Sequence, residues 1–309
     1  MTVDLNNDLE RAKVLARINE DVDTFCRAEF AEDPRTHLGA SIIGHDCKAY
    51  AWSVFRWLKF EELTGQMYRL LNRGHEEEAR FVRWLNGIGF QVQEFADPVA
   101  RKQFRIIGAK DHFGGSLDSL MKAPDRYGLP DNLVWLGEFK THNEKNFTKL
   151  AGPKPAWRDL KAGKMRSGGL KVRRSKPQHF KQMCSYGRAY ALHWGLYCAV
   201  NKDTDELYFE IVKLDWLEAD DLFRKAEEIV FSPVRPAKIA NTPAFHECKL
   251  CIFSNLCHSD EVPTKNCRSC KFAVPIESAQ WRCTHPANPD APLPKEVIMQ
   301  GCGYWVRIV

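Results

Sequence analysis

Nothing in the 309 residues reads as a membrane span or an export signal. Mean hydropathy is −0.43, and no window approaches the run of apolar residues that a bilayer requires. The opening MTVDLNNDLERAK has neither a basic start nor an apolar core, so no signal peptide is expected and the chain reads as cytoplasmic. Internal repeats are missing, apart from the doubling of a Cys-x2-Cys unit. Isolated cysteines are few. Cys26, Cys47, Cys184 and Cys198 stand alone, whereas the other seven of the eleven fall between 248 and 302. In a reducing compartment such clustering points to metal rather than to disulfides. Acidic residues are scarce in one stretch. Lys140 to Lys181 holds 13 Lys/Arg against Glu144 and Asp159, a local +11 (13 minus 2) in a chain of net +5. The remainder is therefore near −6 (5 minus 11). A basic segment in an otherwise acidic chain suits a polyanionic partner; the plainer reading is a solvated loop.

What is present is a folded composition, 44% hydrophobic, in a length that suits one large domain or two ordinary ones. Residues 8–30, 41–60 and 67–89 carry helical spacing, with Ser41 a candidate cap for the second. The runs FQVQEF, QFRIIGA, HFGGSLDSLMKA and LVWLGEFK read as strands. From 141 to 176 the text turns to Gly, Pro, Lys and Arg, which predicts a long loop around a short helical piece. A helix over 178–192, a hairpin of GLYCAVNK and ELYFEIVKL across DTD, and a helix over 215–230 follow. The expected class is α/β, a mixed sheet flanked by helices. Three segments are expected: an N-terminal helical region at 1–65 that carries Cys47, a core at 66–232 and a cysteine-rich module at 233–309.

Asp118 closes HFGGSLDS, and Glu138-Phe139-Lys140 ends LVWLGEFK. Two carboxylates and a lysine at the ends of neighbouring strands suit metal-assisted cleavage of a phosphodiester. The carboxylates hold a hard cation, and the lysine orients the attacking water or helps to deprotonate it. On the third helix His75 and Glu78 are spaced i, i+3 and share a face, with Glu76 and Glu77 close enough to leave the choice of carboxylate open. The plainer reading of GHEEEAR is an acidic, solvated helix face. Gln182 and Tyr186, at i, i+4, put an amide and a phenol on one face of a later helix.

In the order Gly74-His75 with Glu78, then Gly115-Ser116-Leu117-Asp118, then Glu138-Phe139-Lys140, then Gln182 and Tyr186, the chain resembles the RecB-like branch of the PD-(D/E)xK nucleases. The resemblance covers 67–213. It implies a restriction-endonuclease-like fold, with His75, Asp118, Glu138 and the Phe139 carbonyl as metal ligands. It also implies Lys140 as the catalytic lysine, Glu78 as the helix carboxylate, and Gln182 and Tyr186 as contacts to DNA beside the site. The family often has Asp-x-Lys where this chain has Glu-Phe-Lys, a change that keeps the carboxylate. Mg²⁺ or Mn²⁺ is the implied cofactor. An imidazole ligand favours Mn²⁺ at least equally.

Cys248, Cys251 and Cys257 form a tight group short of one ligand, and Cys47 is the candidate fourth. In the iron–sulfur members of this branch, one cysteine before the core and three after it bind a 4Fe–4S cluster. CKLCIFSNLC together with SIIGHDCKAY is similar to that pattern; zinc is the alternative. Cys267, Cys270, Cys283 and Cys302 fit a tetrahedral zinc site, in which His285 could replace either distant cysteine.

In the basic stretch Lys154, Arg158, Arg166, Arg173 and Arg174 are expected to neutralise phosphates, with Trp157 available to stack on a base. The expected function is a DNA nuclease acting on single strands or duplex ends, an exonuclease or end-processing enzyme, because no separate recognition domain is evident. EFKTHNEKNF is similar to phage-encoded recombination nucleases, which adds a recombination protein as a candidate partner. The rival expectation is a DNA-binding or recombination-assembly subunit that has the fold without the chemistry. Intact Asp118, Glu138 and Lys140 argue against it.

Overall fold

The structure is a computed structural model and describes residues 4–130, 132–288 and 292–309. Helix α1 (Asp8–Phe30) leads through strand β1 (Leu38–Gly39) to the short helices α2 (Ala40–Ile43) and α3 (Lys48–Phe55), then to the long helix α4 (Gly65–Gly87). Strands β2 (Gln91–Gln93), β3 (Phe95–Asp97), β4 (Lys102–Gln103), β5 (Arg105–Gly108), β6 (Phe113–Ser116) and β7 (Ser119–Lys122) precede the eight-residue strand β8 (Trp135–His142). Helices α5 (Glu144–Ala151), α6 (Trp157–Lys161), α7 (Lys171–Ser175) and α8 (Pro177–Ala189) then lead to β9 (Trp194–Asn201), β10 (Leu207–Lys213) and α9 (Trp216–Phe231). The C-terminal part holds α10 (His246–Lys249), α11 (Ser254–His258), β11 (Ala273–Pro275), β12 (Trp281–Cys283) and α12 (Lys295–Gln300).

Local chemistry sets several of these ends. Asn7 caps α1 by accepting from Leu9 N and Glu10 N, and Thr64 caps α4 by accepting from Met67 N. The single helix expected over 41–60 is two helices. Gly44 lies against α8, where an added Cβ would stand 3.2 Å from Gln178 Cα. His45 Nδ1 accepts from Cys47 N at 3.0 Å, and Cys47 then caps α3. Ser41 lies inside α2, whose N-cap is Gly39. The long loop expected over 141–176 holds three helices, α5 to α7.

The main sheet runs β10-β9-β8-β7-β2, with β8 and β9 parallel and the other pairs antiparallel. A parallel pair needs a crossover, and α5 to α8 supply it. A second sheet runs β1-β6-β5. Alternation along β8 sends Glu138, Lys140 and His142 to one face, with Tyr197 in register beside Glu138. Phe139 points the other way and stacks on Phe81 of α4, ring centroids 5.4 Å apart. Gly137 is required where β7 crosses: a Cβ there would come within 2.2 Å of Met121 Cε and Ser119 Oγ.

The larger core draws on all three segments, with Leu38, Trp52 and Phe55 packed with Phe113, Tyr186 and Leu222 and with Phe253, Trp281 and Ile298. Two buried arginines tie the chain's ends together. Arg56 Nη1 donates to Ala273 O (2.8 Å) and Arg268 O (3.4 Å), and Arg268 donates to Phe55 O (3.1 Å) and Thr36 O (2.7 Å). Asn266 Nδ2 donates to Trp57 O at 2.9 Å. No described helix is long and apolar enough to cross a membrane.

Candidate active site

Asp118 sits at the bend between β6 and β7, where its Oδ2 accepts from Phe139 N at 2.8 Å. Lys140 Nζ stands 2.6 Å from Glu138 Oε1 and 3.5 Å from Asp118 Oδ2, and donates to the Phe139 carbonyl at 3.0 Å. Glu138 is fully buried; its Oε1 meets only the Lys140 ammonium and its Oε2 has no hydrogen-bond partner. Burial drives its carboxyl upward, against the pull of the Lys140 charge. Burial opposes the charge on Lys140 too, but Asp118 and Glu138 outweigh it and hold the ammonium well above its ordinary pKa.

Helix α4 brings Glu78 to this group. Burial raises its pKa and the Asp118 charge adds to the rise, while Lys140 and His75 pull it down. Of its two neighbours, Glu77 is bonded to Arg80 (2.7 and 2.8 Å) and Glu76 accepts from Asn72 (3.1 Å). His75 stands at the rim, its side chain 72% exposed and its Nδ1 3.8 Å from Glu78 Oε1.

Helix α8 lays His179, Gln182 and Tyr186 over the same region of the sheet. Gln182 Nε2 donates to Tyr186 Oη at 3.0 Å. That hydroxyl presses on Gly115, where an added Cβ would lie 2.8 Å from it. Burial raises the Tyr186 pKa, and the Glu138 charge raises it further. Sequence reasoning missed a neighbouring network in which the Tyr197 hydroxyl stands 2.9 Å from His142 Nε2 and 2.8 Å from His179 Nδ1. Burial lowers His142 to about 4 and holds His179 well below its ordinary value. The signal was present: His142 continues the alternation of Glu138 and Lys140, and His179 lies one turn before Gln182.

A polar cleft of about 340 Å³ opens beside these groups, lined by Glu78, Lys140, His142, Asn146, Lys176 and His179. A second cleft of about 520 Å³ borders it at Gly74 and Glu78. Its walls include Phe30, Leu63, Tyr68 and Leu71, with Glu29, Glu32 and Arg35 among the polar residues.

The basic residues divide. Lys154, Arg158 and Arg174 are exposed, and Arg173 is paired with Asp215 at 3.2 Å. Arg166 does not present its charge as expected. Its side chain is 5% exposed, bonded to Glu206 (2.7 Å) and Glu144 (3.0 Å), and lies over the Phe147 ring. Glu144 within the segment and Glu206 beyond it take up this guanidinium, which fastens the segment to the sheet.

Among the described residues, no three His, Cys, Asp or Glu side chains form a group that could hold a metal ion as they stand. The donor set nevertheless suits a hard cation at Glu138, whose buried Oε2 has no donor. Burial raises the Cys251 pKa, and Cys257, Cys47 and Cys248 are near enough to raise it further. Cys267 is pushed up to about 11 by burial and then by Cys302, Cys270 and Cys283. These four line a cavity of about 190 Å³ with His285, whose Nδ1 accepts from Ala287 N at 3.1 Å.

No family model matches this chain, and no curated protein matches it. Among solved structures, the crystal structure of SSO0001 aligns at 16% identity with TM-score 0.41, over 78% of this chain and 96% of that one. LHK-Exo in complex with dAMP aligns at 15% identity with TM-score 0.35, over 63% and 86%. The alkaline exonuclease LHK-Exo from Laribacter hongkongensis aligns at 16% identity with TM-score 0.33, over 63% and 87%.

Proposed function

We propose that this chain is a divalent-metal-dependent deoxyribonuclease that hydrolyses phosphodiesters at DNA ends. One observation carries the reading: Asp118 from the β6–β7 bend, Glu138 and Lys140 from β8 and Glu78 from α4 come together beside one cleft, and Glu138 is buried there with Oε2 unbonded and Oε1 facing the Lys140 ammonium. A nucleic-acid enzyme that keeps such a carboxylate in its core accepts a cost in stability for which cation binding is the compensation.

In this reading Asp118, Glu138 and Glu78 hold Mg²⁺ or Mn²⁺, with His75 at the open rim. The bound ion supplies polarisation of the scissile phosphate and a lowered pKa for the attacking water. Lys140, held protonated by its carboxylates, donates to a phosphate oxygen and orients that water. Phe139 fixes Asp118 through its N–H, and its carbonyl anchors Lys140. Gln182 and Tyr186, the expected DNA contacts, are buried on α8 beside these groups. The polar cleft, with Lys176 and Asn146, suits the sugar–phosphate backbone. The second cleft, with Phe30, Leu63, Tyr68 and Leu71, suits a base, and its Glu32 disfavours a further phosphate there, as a strand terminus would require. The nuclease core is assigned to 66–232, between a helical region at 1–65 and the cysteine-rich module at 233–309. Cys47, Cys248, Cys251 and Cys257 are assigned to an iron–sulfur cluster that pins α3 to the C-terminal segment; Cys267, Cys270, Cys283 and Cys302 are assigned to zinc.

Time-resolved cleavage of end-labelled single- and double-stranded DNA by metal-free protein tests the reading. Activity should appear on adding Mn²⁺ or Mg²⁺ and fall by about 10²–10³-fold or more in Asp118→Ala or Lys140→Ala, with DNA binding retained. Cleavage in EDTA, or by either variant at the parent rate, overturns it. Metal analysis and visible absorbance of anaerobically purified protein decide the thiol sites.

A further inference from the structure

Helix α1 leaves an apolar stripe uncovered. Its Asp23 and Cys26 face α4, where Arg69 donates to Asp23 Oδ1 at 2.6 Å and reaches Cys26 Sγ at 3.8 Å. Leu15, Ile18, Val22 and Phe25 lie off that contact and remain 61%, 52%, 45% and 64% exposed. Their 3-4-3 spacing is that of a seam which packs against another helix. Scattered exposed apolar residues are ordinary, but a continuous stripe on one helix marks an interaction surface.

The residues that end the stripe say what covers it. One turn before Leu15 stands Arg11, and one turn after Phe25 stands Glu29. The line Arg11, Leu15, Ile18, Val22, Phe25, Glu29 has the spacing 4-3-4-3-4, which is the same from either end while its terminal charges are opposite. Two copies laid antiparallel about a two-fold axis near Glu20 match Ile18 with Val22, Leu15 with Phe25 and Arg11 with Glu29. A parallel pair sets Arg11 on Arg11 and Glu29 on Glu29. Among the described residues Arg11 is bonded locally, to Asp8 and the Leu5 carbonyl, in an exposed pairing that is readily exchanged.

We infer that α1 is the interface of an antiparallel two-fold homodimer, built on this self-complementary seam. Because Glu29 also lines the second cleft, the dimer brings Arg11 of the partner subunit to the rim of that cleft. The inference is independent of the proposed chemistry.

Sedimentation equilibrium of the full chain over a concentration series tests it. The dimer mass should appear with rising concentration, and Ile18→Glu should weaken association by about tenfold or more. Leu15→Ser, which adds no charge, should act in the same direction. Arg11→Glu and Glu29→Arg should each weaken the dimer, and the two changes together should restore it, since the antiparallel pair then re-forms with its signs exchanged. A monomer at every concentration overturns the inference. So does a dimer indifferent to Ile18→Glu, or a double variant no better than the singles.

Discussion

The Asp118–Glu138–Lys140 group and the Arg56–Arg268 pair are both buried charge, but they are accommodated in opposite ways. Arg56 and Arg268 lie 1% and 2% exposed with no carboxylate bonded to them. Burial lowers them to about 10 and about 9, so both remain charged at neutral pH. Main-chain carbonyls take their Nη protons, and Arg268 lies 3.9 Å from the centre of the Trp57 ring. Each leaves only its Nε without a bond. The acidic group has opposite charges in contact, yet it leaves the buried Glu138 Oε2 unsatisfied and sets Glu78 and Asp118 near each other. Satisfied polar networks rigidify a core; unsatisfied ones are found where function needs the free valence. The arginine pair is a clasp, and the acidic group is the proposed site.

The comparison breaks most visibly in stability. Replacing Arg268 with Met removes a guanidinium that satisfies carbonyls of two N-terminal segments, and should cost about 3–5 kcal/mol in urea unfolding. The double change Glu138→Gln with Lys140→Met removes an imperfectly bonded ion pair and should be neutral or stabilising by about 1–4 kcal/mol, while abolishing cleavage. If the double variant loses as much stability as Arg268→Met, the catalytic group is a structural element and the contrast fails.

Acid should strike the clasp as well. His112 is wholly buried between Phe55, Phe231 and Trp281, with Nε2 2.8 Å from Ile276 O. Burial lowers its pKa from 6.5 to about 4, and the Arg268 charge contributes in the same direction. Between those values the unfolded chain binds more protons than the folded one, so stability rises with pH. Its contribution is complete above 6.5 and is lost as pH falls through about 4, on the order of 3 kcal/mol for this shift. His37 and His142 shift in the same direction. The urea midpoint should therefore fall between pH 7 and pH 4.5, and His112→Gln, which can still donate to Ile276, should flatten part of that fall. An unchanged slope in the variant removes His112 from the account.

What sequence shows of this molecule is what local periodicity encodes. The alternation that places Glu138 and Lys140 on one face, the i, i+4 pair of Gln182 and Tyr186, and the hairpin across DTD need no tertiary information. The break at Gly44 does, because its cause is the approach of α8, more than one hundred residues later. The His142–Tyr197–His179 network joins three separate elements, and only the assembled sheet reveals it. Arg268 looks like a surface residue in a cysteine-rich segment. Its burial follows from carbonyls more than two hundred residues upstream.

The basic segment offers the finest version of the same contrast, since arginines that look alike in sequence have different partners. Arg158 and Arg174 are exposed, whereas Arg166 is held by Glu144 and Glu206. Each phosphate that loses its cation lowers the slope of log K against log salt by about 0.9 on duplex DNA and about 0.7 on a single strand. Arg158→Ala and Arg174→Ala should each reduce the slope by about that amount and leave the urea midpoint within about 0.5 kcal/mol of the parent. Arg166→Ala should do the reverse, lowering the midpoint because two carboxylates and the Phe147 face lose their cation, with little change in slope. Equal slopes for all three variants would mean that these cations stand away from the DNA path, which would then follow the Lys176 side of the polar cleft instead.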